Sequence, residues 1–159
     1  MELDMQQTDR VAGVLVATAA GDALGAGYEF TYPRPDLAID MIGGGLGPFA
    51  PGEWTDDTSM TLAIAEVSAS GRTIGHGEGL DAVAAQFVRW YDTHPKDIGN
   101  QTRAVLSARP RSAAAMRQYA LELPGRKAGN GSLMRTAPVA LPTCTTPTRV
   151  SPRPATSVP

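Results

Sequence analysis

The chain has 159 residues, of which 42% are apolar and 19% charged, a length and composition that suit one globular domain with a real core and exclude a disordered chain. A formal net charge of -2 supplies no electrostatic attraction to nucleic acid or to an anionic membrane, so neither is expected as a partner. The single cysteine, Cys144, excludes an intramolecular disulfide and a cysteine-based zinc site, and the opening Met-Glu-Leu-Asp lacks the basic run of a signal peptide. The longest apolar stretch, Val11 to Ala20, is interrupted by Gly13 and Thr18 and is shorter than a bilayer span. A cytoplasmic location is therefore expected.

In chain order, the apolar spacing is helical almost throughout. Val11, Val14, Leu15 and Thr18 follow the i, i+3, i+4, i+7 pattern, with Thr8 or Asp9 as the expected cap and Gly21-Asp22-Ala23-Leu24-Gly25 as the turn that closes the helix. The segment from Tyr32 to Gly52 is rich in proline and glycine and reads as one long loop, a feature usually kept for function or left disordered. Met60, Ala63, Ile64 and Val67 predict a second helix stopped at Gly71. Leu80, Val83, Ala84, Phe87 and Tyr91 predict a third, broken by His94-Pro95. Ala113, Met116, Ala120 and Leu123 predict a weaker one before Pro124-Gly125, and another is expected to begin near Ser132. No segment shows period-two alternation with β-branched enrichment, so the fold class is all-α.

After Leu141 the composition changes abruptly. Residues 142–159 contain five prolines, five threonines and no acid, which predicts a disordered tail. A frameshifted or truncated reading and a natural flexible tail account for this break equally well. The domain organisation expected is thus 1–141 as the folded part and 142–159 as the tail.

Three groups of residues suit chemistry. Trp54-Thr55-Asp56-Asp57-Thr58 concentrates hard oxygen donors of the kind magnesium and manganese prefer, although helix capping alone explains first-turn acids as well. Glu29, just beyond the Gly21–Gly25 motif, suits a general acid or base, and equally a solvent-facing carboxylate after a glycine cap. Gly129-Asn130-Gly131-Ser132 and, more weakly, Gly99-Asn100 are glycine turns leading into helices, where exposed N–H groups and the helix dipole receive anions; lone turns of this sort are common without any ligand. His76 and His94 have no ligand-spaced partner and read as surface residues, and Trp90 and Tyr91 read as core.

The order of these motifs resembles the ADP-ribosylglycohydrolase family: Gly21-Asp22-Ala23-Leu24-Gly25 with Glu29, then Trp54 to Thr58, then Ile98-Gly99-Asn100, then Gly129 to Arg135. The resemblance spans about Val11 to Leu141. It implies an orthogonal all-α helical bundle and an enzyme that hydrolyses the glycosidic bond of ADP-ribosyl groups on modified proteins or small adducts. It implies a cofactor of Mg2+ or Mn2+, normally two ions. Thr55, Asp56 and Asp57 would be metal ligands, Glu29 the catalytic carboxylate beside the scissile bond, and Gly99, Asn100, Gly129, Asn130, Gly131 and Ser132 the substrate-binding turns. The chain departs from the family in lacking its later Gly-Gly-Asp-x-Asp-Thr motif: no acid follows Glu122, so the second set of metal ligands is absent from this sequence. A truncated bundle with weak metal binding and impaired turnover is therefore expected. The alternatives are a non-catalytic module that binds ADP-ribose or a nucleotide, and a structural protein like the lens crystallins that share this fold.

Overall fold

A computed structural model describes residues 3–125 and 129–143, and among these it is all-α. Five α-helices follow in order: α1 (Met5–Gly25), α2 (Asp56–Ala69), α3 (Gly77–Asp92), α4 (Asn100–Ser107) and α5 (Ala113–Glu122). Three 3-10 segments, Ala26–Tyr28, Leu133–Arg135 and Ala137–Thr143, complete the architecture. The expected tail lies outside the described residues from Cys144 onward.

The central element is α2, which packs against α1, α3 and the two C-terminal 3-10 segments. Its buried residues, Thr58, Met60, Thr61, Ala63, Ile64 and Val67, include the whole apolar set expected for it and wrap around more than one face. Ile64 and Val67 meet Ile74 and Val83 in the core, with Ala82 and Phe87 packed alongside. Gly71, at φ +80, takes the left-handed backbone that ends the helix. The third helix ends at Asp92 ahead of His94-Pro95, as the proline requires. Its Val83 and Ala84 are buried, but Leu80 remains 40% exposed. In α5 no residue is fully buried; it is held by Ser112 Oγ, which accepts from Ala115 N at 3.1 Å, and by Asp81 Oδ1, which accepts from Ala113 N at 2.8 Å.

Three expectations are corrected. The first helix starts earlier than Thr8 or Asp9: Asp4 is the cap, accepting from Gln7 N at 2.7 Å while Gln7 Oε1 accepts from Asp4 N at 2.9 Å, a reciprocal pair that satisfies two end groups at once. Nor does it stop at Gly21. It runs on to Gly25 and, with the following 3-10 turn, makes a helix of 24 residues whose most apolar 18-residue stretch has mean hydropathy 1.3, long and apolar enough to cross a membrane by length and composition. Only 11% of that apolar window is buried, and Val11, Val14, Leu15 and Thr18 are half-buried rather than core. Finally, no α-helix begins near Ser132. Pro138 and Pro142 lack the N–H donors a helix needs and disfavour helical backbone at the residues before them, so the segment forms 3-10 turns.

The long loop is ordered by glycine. Gly44 N donates to Phe49 O at 2.9 Å, which pinches residues 44–49 into a tight turn. Gly45, at φ +77, lies against the carbonyl of Ala26, and Gly27 lies against Ile42 and Gly43, so backbone packs on backbone where α1 ends. A side chain at position 45 would enter that carbonyl, whereas Gly13 in mid-α1 faces open space. Gly45→Ala should therefore lower the unfolding free energy by about 2 kcal/mol or more, and Gly13→Ala should raise it by about 0.5–1 kcal/mol. Urea unfolding of the two variants checks both signs.

Candidate active site

One carboxylate joins the first two helices. Asp22, on the last turns of α1, accepts four hydrogen bonds from the start of α2: from Thr55 N at 2.9 Å, Thr55 Oγ1 at 2.7 Å, Thr58 N at 3.0 Å and Thr58 Oγ1 at 2.6 Å. Thr55 occupies the cap position of α2 but its own side chain caps nothing; a residue 33 positions earlier does that work. The reason is charge: an anion at a helix N-terminus meets both unpaired N–H groups and the positive dipole end. Nothing local in the sequence reveals this cross-helix role for Asp22.

This tie sets Asp56 and Asp57, in the first turn of α2, facing a cleft that Glu29 and Asp97 also line. Asp97 was not singled out in the sequence; its neighbours Ile98 and Gly99 were the only hint. Three of these carboxyl groups, Asp56, Asp57 and Glu29, are held above their ordinary pKa values. Asp57 is pushed up to about 6, first by burial, then by the charges of Asp22, Asp56 and Glu29, with Arg135 acting weakly the other way. Asp56 is raised by burial and by Asp97 and Asp22, against hydrogen bonds from its own backbone N–H and from Thr55. Glu29, exposed at the lip of the cleft, is raised by partial desolvation and by Asp97, Asp56 and Asp22. Arg135 is the counter-cation: burial lowers its pKa, while its charge acts on Asp56 and Asp57. Its guanidinium lies 5.4 Å from the Phe87 ring centre and donates to Met60 Sδ at 3.0 Å.

The cleft, of about 1510 Å³, also receives Gly99, Asn100, Gly129, Asn130, Gly131 and Ser132. Nine of the ten residues expected to form the site thus line one cavity; the tenth, Thr55, lies just behind Asp56 and lines an adjoining smaller cleft. The two glycine turns are neighbours, since a Cβ on Gly129 would lie 3.4 Å from Gln101 Oε1 in the first turn of α4. Thr61 Oγ1 holds the second turn in place by donating to Met134 O at 3.3 Å. Only Gly99-Asn100 leads into an α-helix, so the helix-dipole argument holds there. At Gly129–Ser132 it is corrected: a 3-10 turn of three residues follows, closed by Leu133 N donating to Asn130 O at 2.8 Å.

The donors suit a hard divalent cation in kind. Asp56 and Asp57 are carboxylates whose charge the surroundings resist, and the Thr55 hydroxyl oxygen keeps lone pairs to offer. Among the described residues no three Asp, Glu, His or Cys side chains converge tightly enough to enclose an ion. Thr55, Asp56 and Asp57 could by themselves offer oxygen donors from one side only.

The helical scaffold thus turns a carboxylate cluster toward two glycine-rich turns in one cleft. The ADP-ribosylglycohydrolase family model matches residues 3–153, and the chain belongs to that family. Similar proteins include the ADP-ribosylarginine hydrolase Tri1 of Pseudomonas putida (strain GB-1), 36% identical over 86% of this chain and 37% of that protein. Tri1 of Serratia proteamaculans (strain 568) is 35% identical over 87% and 38%. The ADP-ribosyl-[dinitrogen reductase] glycohydrolase of Rhodospirillum rubrum is 33% identical over 91% and 48%. The chain spans less than half the length of each of these relatives.

Two outcomes follow from the geometry. Asp22→Ala strands two N–H groups and two hydroxyls at the start of α2 and should destabilise the chain by about 2–4 kcal/mol in urea unfolding. Asp57 has a folded pKa above its unfolded value, so its contribution to stability is full below pH 3.8 and is lost as pH rises through about 6. Asp57→Asn should therefore melt higher than wild type at pH 7.5, by about 1 kcal/mol after allowance for solvent screening. That advantage should fade below about pH 4 in a series of melting curves.

Proposed function

We propose that this chain carries the acidic half of a metal-dependent ADP-ribosyl hydrolase site, which cleaves the glycosidic bond joining ADP-ribose to a protein side chain or small adduct. The observation that carries the reading is the convergence of Glu29, Asp56, Asp57 and Asp97 on the cleft that also holds both glycine turns. Family membership supports it, as do relatives named for ADP-ribosylarginine and ADP-ribosylated dinitrogen reductase.

In this reading Thr55, Asp56 and Asp57 hold Mg2+ or Mn2+, and the metal supplies charge neutralisation and an activated water. The chain's own residues do the rest. The N–H groups of Gly129–Ser132 and the start of α4 receive the diphosphate or ribose oxygens. Glu29, with its pKa raised by the neighbouring acids, keeps a proton to higher pH than an isolated glutamate and can pass it to the leaving group or take one from water. Arg135 limits the negative charge that accumulates behind Asp56 and Asp57.

Replacing Asp56 and Asp57 by Ala tests the reading. Mn2+ should raise the melting temperature of the wild-type chain and leave the double variant unmoved, and release of ADP-ribose from an ADP-ribosylated peptide should fall to background. Glu29→Gln should keep the Mn2+ effect and lose at least about 100-fold in turnover. A double variant that still binds ADP-ribose as wild type does, from a wild type without turnover, would favour the non-catalytic binding module.

A further inference from the structure

The glycine-rich strap between α1 and α2 is fastened at two ends. At one, Gly45 and Gly27 pack backbone against backbone beside Ala26, two to three residues before Glu29. At the other, the fastening is a single side chain from the turn between α3 and α4. Lys96 Nζ donates to Glu53 Oε1 and Oε2, both at 2.6 Å, and to Pro48 O at 3.2 Å, and lies 5.3 Å from the centre of the Phe49 ring. Glu53 Oε2 in turn accepts from Ala50 N at 2.7 Å, which closes the strap's last turn on the same carboxylate. The Lys96 stem also packs beside Gly47, where a Cβ would lie 3.1 Å from Lys96 Cβ.

What this latch joins matters more than its strength. Lys96 is followed at once by Asp97, and Glu53 is followed by Trp54, Thr55 and Asp56. Asp56 and Asp97 line both the main cleft and the smaller cleft that contains Phe49, Glu53 and Lys96. No hydrogen bond joins the two carboxylates, which repel one another, so something else must hold their backbones side by side. An exposed ion pair alone is worth little. Here one ammonium meets a bidentate carboxylate, a carbonyl and an aromatic face together, each fixed by the others.

We propose that Lys96 is a positioning residue, whose contacts to Glu53, Pro48 and Phe49 latch the strap to the α3–α4 turn and thereby set Asp97 against Asp56 and Glu29. It touches neither metal nor substrate and acts through the two backbone segments it joins. The proposal concerns the arrangement of the acids and rests on the hydrolase reading only where metal binding is the readout.

The test uses the full chain with Lys96→Met, close in shape but without charge or donors, and Lys96→Arg, which keeps both. Amide hydrogen exchange is measured over residues 48–57 and 96–100. Lys96→Met should speed exchange there by about fivefold, with α2 beyond its first turn and α3 unchanged, and Lys96→Arg should restore most of the protection. Mn2+ affinity, read by water proton relaxation, separates positioning from charge. Removing a cation near an acidic site should tighten Mn2+ binding if only Coulomb attraction counts, whereas loss of the latch should weaken it by about fivefold. Unchanged exchange in Lys96→Met, failure of Lys96→Arg to restore it, or tighter Mn2+ binding would overturn the proposal. If wild type takes up no Mn2+, the metal reading of the site falls, and the exchange result by itself decides the role of Lys96.

Discussion

Asp22 sits where the fold and the site become the same problem. Its two oxygens take two backbone N–H groups and two hydroxyls from the first turn of α2, and with them the orientation of the whole helix. A charged acceptor at a helix start gains from the dipole as well as from each bond, so this contact stabilises more than a neutral cap would. Because α1 continues past Gly21, Asp22 lies on its last turns and meets Thr55 and Thr58 from there. Asp56 and Asp57 are consequently fixed before any ligand arrives.

That arrangement carries an electrostatic cost. Burial and mutual repulsion push Asp57 to about 6 and raise Asp56 and Glu29, and the opposing cation is Arg135, itself desolvated against Phe87 and Met60. A protein selected only for stability would not keep these acids together. In the proposed reading, a divalent cation would relieve the cost of ionising these clustered carboxylates.

The loop from Tyr32 to Gly52 shows how the acids are collected from distant parts of the chain. It has no regular element, yet backbone contacts at Gly27, Gly43 and Gly45 fasten it beside Glu29, while Glu53 and Phe49 fasten it beside Asp97. Glycine is needed at Gly45 for two reasons at once, a left-handed backbone and a carbonyl in the place of a side chain.

The sequence by itself determined the helices of the core and the kind of chemistry present. Met60, Ala63, Ile64 and Val67 announced α2 because helical burial imposes a local period, and Gly71 and His94-Pro95 announced ends because their backbone limits are local too. Thr55, Asp56 and Asp57 were visible because hard-oxygen donors at adjacent positions are a compositional signal. The tertiary structure alone decided which residues meet. Asp22 reaching across 33 positions, Asp97 joining the acids and Lys96 gripping the strap all depend on distances that no local pattern encodes. The start of α1 and the 3-10 turns after Ser132 were misjudged for a related reason: a reciprocal Asp4–Gln7 cap and two prolines outweighed an apolar period that looked helical. Period reports which face an element can bury, whereas capping, strap closure and charge contact are settled only once the chain has brought its distant segments together.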